Sequence, residues 1–326
     1  FGTDQRSTPT DWEHQLPIVD VAVVSKAYGS QQVLDGVSFA VDEGEIFGVV
    51  GPNGAGKTTL VESISGLRQV DGGSIRVLDL HPIDDRSELA QRLGVQLQES
   101  SLQNRARVQE LMETYASFYR DPADWKELMA SFGLEDKLDA NYASLSGGMK
   151  QRLSAALALV GSPEIVILDE LTTGLDPRAR RSTWEAVEKI RDAGATVILV
   201  THFMDEAERL CDRVMVLNEG GVEAIDSPAG LINLAGSEQI MTFRPSEAIE
   251  PDVIRAMPEV VDTRSEDGIV TVTGSGNVVQ SVLVELANRG VTADQLRVDQ
   301  TSLEDAYLEL TGERSGSFSG SGSGDG

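Results

Sequence analysis

At 326 residues the chain is long enough for two domains, and its 40% of hydrophobic residues can build a sizeable core. A formal net charge of −26 argues against a general nucleic-acid binder, which needs a basic face, and against charge-driven adhesion to an anionic membrane. No stretch approaches the roughly 18 uninterrupted apolar residues of a membrane span, and the lone Cys211 excludes an internal disulfide and suits a reducing cytoplasm.

Two strands are predicted after a polar lead-in. Residues 1–16 predict a flexible segment, and the apolar patterns at 18–24 and 37–41 predict strands. Tyr28 lies between them. An aromatic residue in such a loop either packs locally or offers its face for stacking on a nucleotide base.

The strongest motif follows a short apolar segment at 45–50 and reads Gly-Pro-Asn-Gly-Ala-Gly-Lys-Thr over 51–58. It matches the phosphate-binding pattern G-x-x-x-x-G-K-[ST] at every fixed position, with a predicted strand before it and a predicted helix after it. Glycines let backbone N–H groups approach phosphate oxygens, and the helix presents its positive end to the same anion. Lys57 supplies a charge for the outer phosphates, and Thr58 supplies a hydroxyl for Mg²⁺. An ordinary glycine-rich turn is the alternative.

A helical region separates this loop from a second glycine-rich segment. Strands are predicted at 74–78 and 93–98, and helical spacing predicts a mostly helical insertion at 99–160. The insertion ends in Leu-Ser-Gly-Gly-Met-Lys-Gln-Arg at 145–152, where Ser146 is the predicted N-cap of a buried helix. Ser-Gly-Gly at a helix start is either a second anion site or a plain helix cap.

The next predicted strand ends in two carboxylates. Four consecutive apolar residues at 165–168 are typical of a strand buried on both faces of a parallel sheet, and Asp169 and Glu170 follow them. Carboxylates there are costly without partners. In a chain with a phosphate loop, Asp169 is the expected Mg²⁺ ligand, and Glu170 is placed to activate water. A purely structural pair is the alternative.

A further buried strand, at 196–200, delivers Thr201 and His202. Ligands of open α/β sheets bind at the carboxyl ends of the strands, so we expect His202 to lie beside the phosphate, although a lone histidine is more often structural. Between the two strands, 172–177 predicts a turn that starts a helix running to about residue 192.

The last part of the chain has its own pattern. The first domain is expected to close near residue 236, and 237–312 reads strand, helix, strand, strand, helix, strand, helix. A capping box is predicted at 301–304. This order predicts a small α+β accessory domain without evident chemistry, and 313–326 predicts a flexible Gly/Ser tail.

The combined motifs resemble those of ABC transporter ATP-binding subunits. The phosphate loop, Gln98, Leu-Ser-Gly-Gly-Met-Lys-Gln-Arg, Leu-Asp-Glu, Gly-Leu-Asp and Thr-His occur in that family's order over about 17–235. Leu-Ser-Gly-Gly paired with a phosphate loop is the most specific part. Asp-Glu-Ala-Glu at 205–208 and the string at 302–312 are similar to ABC-2-type drug exporters of the daunorubicin/doxorubicin kind.

The resemblance implies an α/β fold: a P-loop NTPase of the ABC type with a helical subdomain, plus the small C-terminal α+β domain. The ATP-binding domain would span 17–236, with its helical subdomain at about 99–160. The family usually has Pro after the catalytic glutamate, whereas this chain has Leu171. Since the carboxylate positions are unchanged, we expect activity to survive this difference.

The resemblance also implies roles for individual residues. Catalysis would rest on Glu170, His202, Gln98 and Lys57. Mg²⁺ would be held by Thr58, Gln98 and Asp169. ATP would contact Tyr28, Gly51, Pro52, Asn53, Gly54, Ala55, Gly56, Lys57, Thr58 and Thr59. A nucleotide held by a second protomer would be capped by Ser146, Gly147 and Gly148, with Asp176 on the loop that joins the protomers.

The implied function is ATP hydrolysis that powers a separately encoded membrane permease, an exporter of drugs, lipids or other hydrophobic compounds. The implied partners are that permease and a second copy of the chain, without nucleic acid, at the inner face of the cell membrane. Two alternatives are an ABC ATPase acting on nucleic acid or ribosomes and the ATPase of a polysaccharide exporter. The strong acidity disfavours the first, and the predicted α+β accessory domain disfavours the second. The transported substrate is not encoded in these motifs.

Overall fold

The computed structural model describes residues 16–96, 102–236, 238–247, 249–266, 268–299 and 301–312. Its strands are β1 (Val19–Tyr28), β2 (Gln31–Val41), β3 (Ile46–Val50), β4 (Gly72–Val77), β5 (Leu93–Gln96), β6 (Ile165–Asp169), β7 (Thr196–Thr201), β8 (Arg213–Asn218), β9 (Gly221–Asp226), β10 (Glu238–Pro245), β11 (Val260–Glu266), β12 (Ile269–Ser275) and β13 (Ala293–Asp299). Its helices are α1 (Lys57–Ile64), α2 (Arg86–Arg92), α3 (Val108–Ala116), α4 (Trp125–Ser131), α5 (Gly147–Leu159), α6 (Pro177–Asp192), α7 (Met204–Leu210), α8 (Pro228–Leu234), α9 (Pro251–Arg255), α10 (Val278–Asn288) and α11 (Leu303–Leu310).

The centre of the fold is a six-stranded sheet in the order β5-β6-β7-β3-β8-β9, parallel except for the last strand. Strands β3, β6 and β7 are buried on both faces, as the continuous apolar runs predict. Alternate residues of β6 and β7 enter two separate hydrophobic cores. Because β6 and β7 are neighbours, their carboxyl ends lie side by side.

A smaller antiparallel sheet, in the order β2-β1-β4, covers one face of the central sheet. Phe39 of β2 stacks on Phe47 of β3, with ring centroids 5.3 Å apart, and α1 contributes Leu60 and Ile64 to the same core. Between β4 and β5 lies helix α2, which the sequence analysis did not predict.

The other face packs against the helices. The helical insertion contains α3, α4 and α5, which contact one another and share a core with β6, β7, α6 and α7. These helices lie within the predicted region 99–160, whose bounds stay a prediction and whose residues 99–101 lie outside the described residues. In the part of the chain that the structure describes, no helix combines the length and apolar character that crossing a bilayer requires.

The C-terminal segment forms a four-stranded antiparallel sheet in the order β11-β12-β10-β13. Helices α9 and α10 pack on one face, and the core between them is built from Met241, Phe243, Val272 and Val282 among others. The elements follow the order predicted from the sequence.

The last helix, α11, packs elsewhere. It contacts α7 and α8, and its Leu303 and Tyr307 belong to the core of the first domain. The capping box at its start joins Ser302 with Asp305, one residue later than the predicted box at 301–304. The domain boundary at residue 236 stays a prediction. Helix α11 follows this boundary in the chain but packs against helices that precede it.

Candidate active site

The phosphate-loop motif has a backbone geometry that requires glycine. Strand β3 is buried along its length and leads into the loop, and α1 follows it. Gly56 has φ of 103°, in the left-handed region. A Cβ on Gly51 would lie 2.1 Å from the carbonyl oxygen of Leu217, and one on Gly56 would lie 2.5 Å from that of Val33. Any side chain at these two positions would displace the loop.

Lys57 is buried at the end of this loop. Its Nζ donates to the carbonyl oxygens of Gly51, at 2.6 Å, and Pro52, at 3.0 Å. Burial lowers the pKa of Lys57, and the nearby charges of Glu170 and Asp169 oppose this effect. A desolvated ammonium held beside the loop is a strong partner for an anion, because few water molecules screen it.

Asp169 ends β6 and is only 3% exposed. Burial raises its pKa to about 6; the charge of Glu170 adds to this effect, and that of Lys57 opposes it. Its Oδ2 atom is buried and has no hydrogen-bond partner among the described residues. A carboxylate oxygen without a partner, in a cavity that the Thr58 side chain also lines, fits a hard cation such as Mg²⁺.

The cation would need ligands from outside the protein as well. Among the described residues, no group of three or more His, Cys, Asp or Glu side chains is arranged to hold a metal alone. Mg²⁺ commonly uses one or two protein oxygens together with phosphate oxygens and water. The donor set here therefore fits Mg²⁺ bound together with a nucleotide.

Glu170 and His202 lie together, although 32 residues separate them. His202 Nδ1 is 3.1 Å from Glu170 Oε1. Glu170 has φ of 51°, a backbone conformation uncommon outside glycine that is concentrated at functional sites. Its N–H donates to the carbonyl oxygen of Val200 on β7 at 2.8 Å, which ties the end of β6 to the strand that delivers His202.

A cavity of about 300 Å³, near the lower end of the range for ligand pockets, lies against Lys57, Asp169 and Glu170, and His202 is not among its lining residues. Tyr28 lies at its rim and is 42% exposed, with the Arg68 guanidinium carbon 5.2 Å from its ring centroid. The cavity is lined by Tyr28, Gln31, Val33, Asn53, Gly54, Gly56, Lys57, Thr58, Thr59, Asp169 and Glu170. Two larger cavities, of about 520 and 680 Å³, contain none of the predicted site residues.

The predicted second anion site lies outside this cavity. Ser146 is the N-cap of α5, and its Oγ accepts from the Met149 N–H at 3.3 Å. Asp176 is the N-cap of α6 and accepts from two backbone N–H groups at 2.9 and 3.0 Å. Both side chains are exposed, and Gly148 adjoins Leu175 of the turn before α6. The two segments form one surface.

One predicted site residue cannot be placed, and two residues that line the cavity were not predicted. Gln98 lies outside the described residues. Gln31 and Val33, which line the cavity, carry no motif, and only their place just after Tyr28 on the same hairpin could have indicated them.

We predict opposite effects of Asp169→Asn on stability and on cation binding. Because the pKa of Asp169 in the folded chain, about 6, lies above its unfolded value, the proton stabilises the folded state at acidic pH, and this contribution is lost as pH rises through about 6. Without ligand, the variant should be more stable than the wild type by about 1–3 kcal/mol at pH 7.5, and by less at pH 5. It should also lose Mg²⁺-dependent ATP binding.

Urea unfolding at the two pH values and ATP titrations with and without Mg²⁺ measure these effects. Asp121→Asn, at an exposed position outside the cavity, is the control. A variant less stable than the wild type at pH 7.5 would contradict the assignment of Asp169 as a destabilising buried charge.

A family model described as ABC transporter matches residues 34–173 of the chain. The chain is 39% identical over 303 residues to the Nod factor export ATP-binding protein I of Rhizobium sp. (strain N33), covering 90% of this chain and 97% of that protein. It is 34% identical over 307 residues to the daunorubicin resistance ATP-binding protein DrrA2 of Streptomyces coeruleorubidus, covering 91% and 95%.

Solved structures agree with this result. The ATP-binding subunit of an ABC transporter superposes with a TM-score of 0.62 at 30% identity, over 67% of this chain and 93% of that one. A dimeric, post-hydrolysis ATP-binding cassette, MJ0796 bound to ADP and Pi, superposes with a TM-score of 0.59 at 26% identity, over 64% and 98%.

The family and the fold class predicted from the motifs are confirmed by these similarities. The relatives align over nearly their whole length and over the C-terminal segment of this chain as well as its first domain. The chain therefore belongs to the family of ABC transporter ATP-binding proteins, the ATPases that power transport.

Proposed function

We propose that the chain binds Mg²⁺-ATP in the Lys57 cavity and hydrolyses it to power export through a separately encoded membrane permease. The observation that carries this proposal is the convergence of four ionisable side chains at the carboxyl ends of β3, β6 and β7. Lys57, Asp169 and Glu170 line one cavity, and His202, from a third segment, joins them through its contact with Glu170.

The elements that line the cavity support nucleotide binding there. The loop from Gly51 to Gly56 offers backbone N–H groups, and Lys57 offers its charge to the outer phosphates. Tyr28 presents a partly exposed ring at the rim, where adenine would stack. Thr58 and Asp169 would hold Mg²⁺, with Gln98 as the third proposed ligand. Bound there, Mg²⁺ would neutralise charge that develops on the phosphates.

Glu170 is the proposed general base. Its carboxylate would polarise the attacking water and accept its proton. His202, 3.1 Å away, orients that carboxylate and would contact the terminal phosphate. The orientation is valuable because a general base must lie within hydrogen-bonding distance of the proton that it removes.

A second copy of the chain would complete each site. Ser146, Gly147 and Gly148 lie at an exposed helix start, and Asp176 lies beside them on the same surface. We propose that this surface caps the ATP held by the partner, so that two chains arranged head to tail bury two nucleotides. The dimeric state of the related cassette MJ0796 supports this arrangement.

The transport role rests on the relatives. Their names describe export of Nod factor and resistance to daunorubicin, and for this chain we propose export of a drug-like, lipid or other hydrophobic compound. The chain would work at the cytoplasmic face of the membrane, attached through its permease. The C-terminal sheet carries two helices, which argues against the all-β carbohydrate-binding domain expected in a polysaccharide exporter.

Lys57→Ala tests the nucleotide site. Removing the ammonium deletes charge-assisted hydrogen bonds to the phosphates, and we expect ATP affinity to fall by about 10–100-fold. Isothermal titration with Mg²⁺-ATP measures this change, and Lys126→Ala, at an exposed position on α4, is the matched control. Unchanged affinity in a folded Lys57→Ala variant would refute the assignment of the loop.

A further inference from the structure

Glu206 is a buried carboxyl group outside the nucleotide cavity. Among the described residues, the buried ionisable side chains with a formal charge at neutral pH are Lys57, Asp169 and Glu206. The first two line the cavity. Glu206 lies on α7 and is 1% exposed. Burying a carboxyl group is unfavourable unless it has polar partners, so the polar groups around Glu206 indicate its role.

The best-formed contact of Glu206 is with α6. Trp184 Nε1 donates to Glu206 Oε1 at 3.1 Å. Thr201 and Thr172 are both fully buried, and their hydroxyl groups are near enough to Glu206 to affect the pKa of its carboxyl group. Burial raises the pKa of Glu206, and these two hydroxyls and the indole oppose this effect. Neither Thr172 Oγ1 nor Glu206 Oε2 has a hydrogen-bond partner among the described residues, so Thr172 is a neighbour of the carboxyl group and not a hydrogen-bond partner.

Thr172 and Thr201 are close in the sequence to the proposed catalytic pair, Glu170 and His202. Thr172 follows Glu170 by two residues, and Thr201 directly precedes His202. One carboxyl group therefore lies near both segments whose side chains meet at 3.1 Å in the site. Its hydrogen-bond partner Trp184 lies on α6, the helix that Asp176 caps at the proposed contact with the second protomer.

The neighbouring acidic residues of α7 have different partners. Asp205 pairs with Arg180 at 3.1 Å, and Glu208 Oε2 accepts from the Leu303 N–H of α11 at 3.2 Å. Of the three carboxylates in the Asp-Glu-Ala-Glu string, Glu206 alone is buried. Glu208 is thus a natural comparison, because it lies on the same helix and its contact leads away from the site.

We propose that Glu206 is a positioning residue for ATP hydrolysis. From beneath the site it holds the Glu170 and His202 segments at a fixed separation and couples them to α6. The inference rests on the proposed roles of Glu170 and His202. A displacement of about 1 Å in catalytic groups is enough to reduce turnover by about 10²-fold, so a loss of this support acts on chemistry more than on ATP affinity.

The test compares three variants of the full chain. Glu206→Ala removes the hydrogen bond to Trp184 and the side chain that lies near Thr172 and Thr201, and we expect kcat to fall by about 10–100-fold with KM and ATP affinity changed by less than about threefold. Glu206→Gln keeps the size of the side chain and its capacity for hydrogen bonds, and should restore kcat to within about fivefold of the wild type. Glu208→Ala should keep wild-type kcat even if its melting temperature falls.

A double-variant cycle separates positioning from general destabilisation. If Glu206 acts through the proposed catalytic pair, adding Glu206→Ala to the Glu170→Gln, His202→Ala variant should lower kcat little further than that variant alone. Multiplying effects, or a folded Glu206→Ala with kcat within twofold of the wild type, would overturn the proposal. If Glu206→Ala does not fold, Trp184→Phe keeps the ring packing and removes the indole N–H. It should then lower kcat about fivefold at unchanged ATP affinity, and an unchanged kcat would overturn the proposal.

Failure of this inference is distinguishable from failure of the proposed mechanism. If Glu170→Gln loses turnover while folded Glu206→Ala keeps it, only the positioning role is wrong. If Glu170→Gln itself keeps turnover, the assigned base is wrong, and the role of Glu206 falls with it.

Discussion

Glu170→Gln should bind ATP with near wild-type affinity and hydrolyse it about 10²–10⁴-fold more slowly. The substitution preserves the size of the side chain but removes the negative charge that polarises the attacking water. Lys57, Thr58 and Asp169 keep their places around the phosphates and the cation. Binding and chemistry should therefore separate in this single variant.

Phosphate release and ATP titration on the same preparation measure the two effects. Glu185→Gln, at an exposed position on α6, controls for the loss of a carboxylate. Turnover within tenfold of the wild type would show that Glu170 is not the base. The contact with His202 at 3.1 Å would then be structural.

The second large effect concerns assembly. With ATP, Glu170→Gln should accumulate as a dimer, because nucleotide is bound between the chains and is not consumed. Without nucleotide it should be mainly monomeric. Adding Ser146→Arg should abolish the dimer, since a bulky cationic side chain would occupy the exposed helix start that is proposed to cap the partner's phosphate.

Gel filtration with light scattering distinguishes these states. Ser87→Arg, at an exposed position on α2, is the matched control and should leave the ATP-dependent dimer intact. If the Glu170→Gln, Ser146→Arg double variant still dimerised with ATP, the head-to-tail arrangement would be wrong even if the nucleotide site were right.

We propose that one chain is insufficient for a complete ATP site, because the nucleotide cavity and the surface at Ser146 and Asp176 lie apart within the chain. Ser146 and Asp176 are exposed and do not line the Lys57 cavity, so within one chain the two predicted anion sites do not meet. Both side chains instead cap helices, by hydrogen bonds to backbone N–H groups. The helix start at Ser146 can be capped by its own side chain and also face a phosphate of the partner chain. An exposed helix start directs its backbone N–H groups toward an anion.

The sequence by itself determined the features that are local in the chain. The phosphate loop, the buried strand ending in Asp169 and the helix start at Ser146 each depend on about eight consecutive residues. Their spacing and residue types dictate backbone conformation directly, through glycine at positive φ, apolar runs and capping side chains. The order of elements after residue 236 was predictable for the same reason.

Only the tertiary structure decided which distant residues meet. The contact between Glu170 and His202 depends on β6 and β7 being neighbours in the sheet. Hydrophobic periodicity does not determine strand order. The burial of Glu206 and the packing of α11 against α7 and α8 were likewise invisible in the sequence. An acidic residue on a short helix is exposed by default, and its burial here results from long-range packing, which leaves no local signal in the sequence.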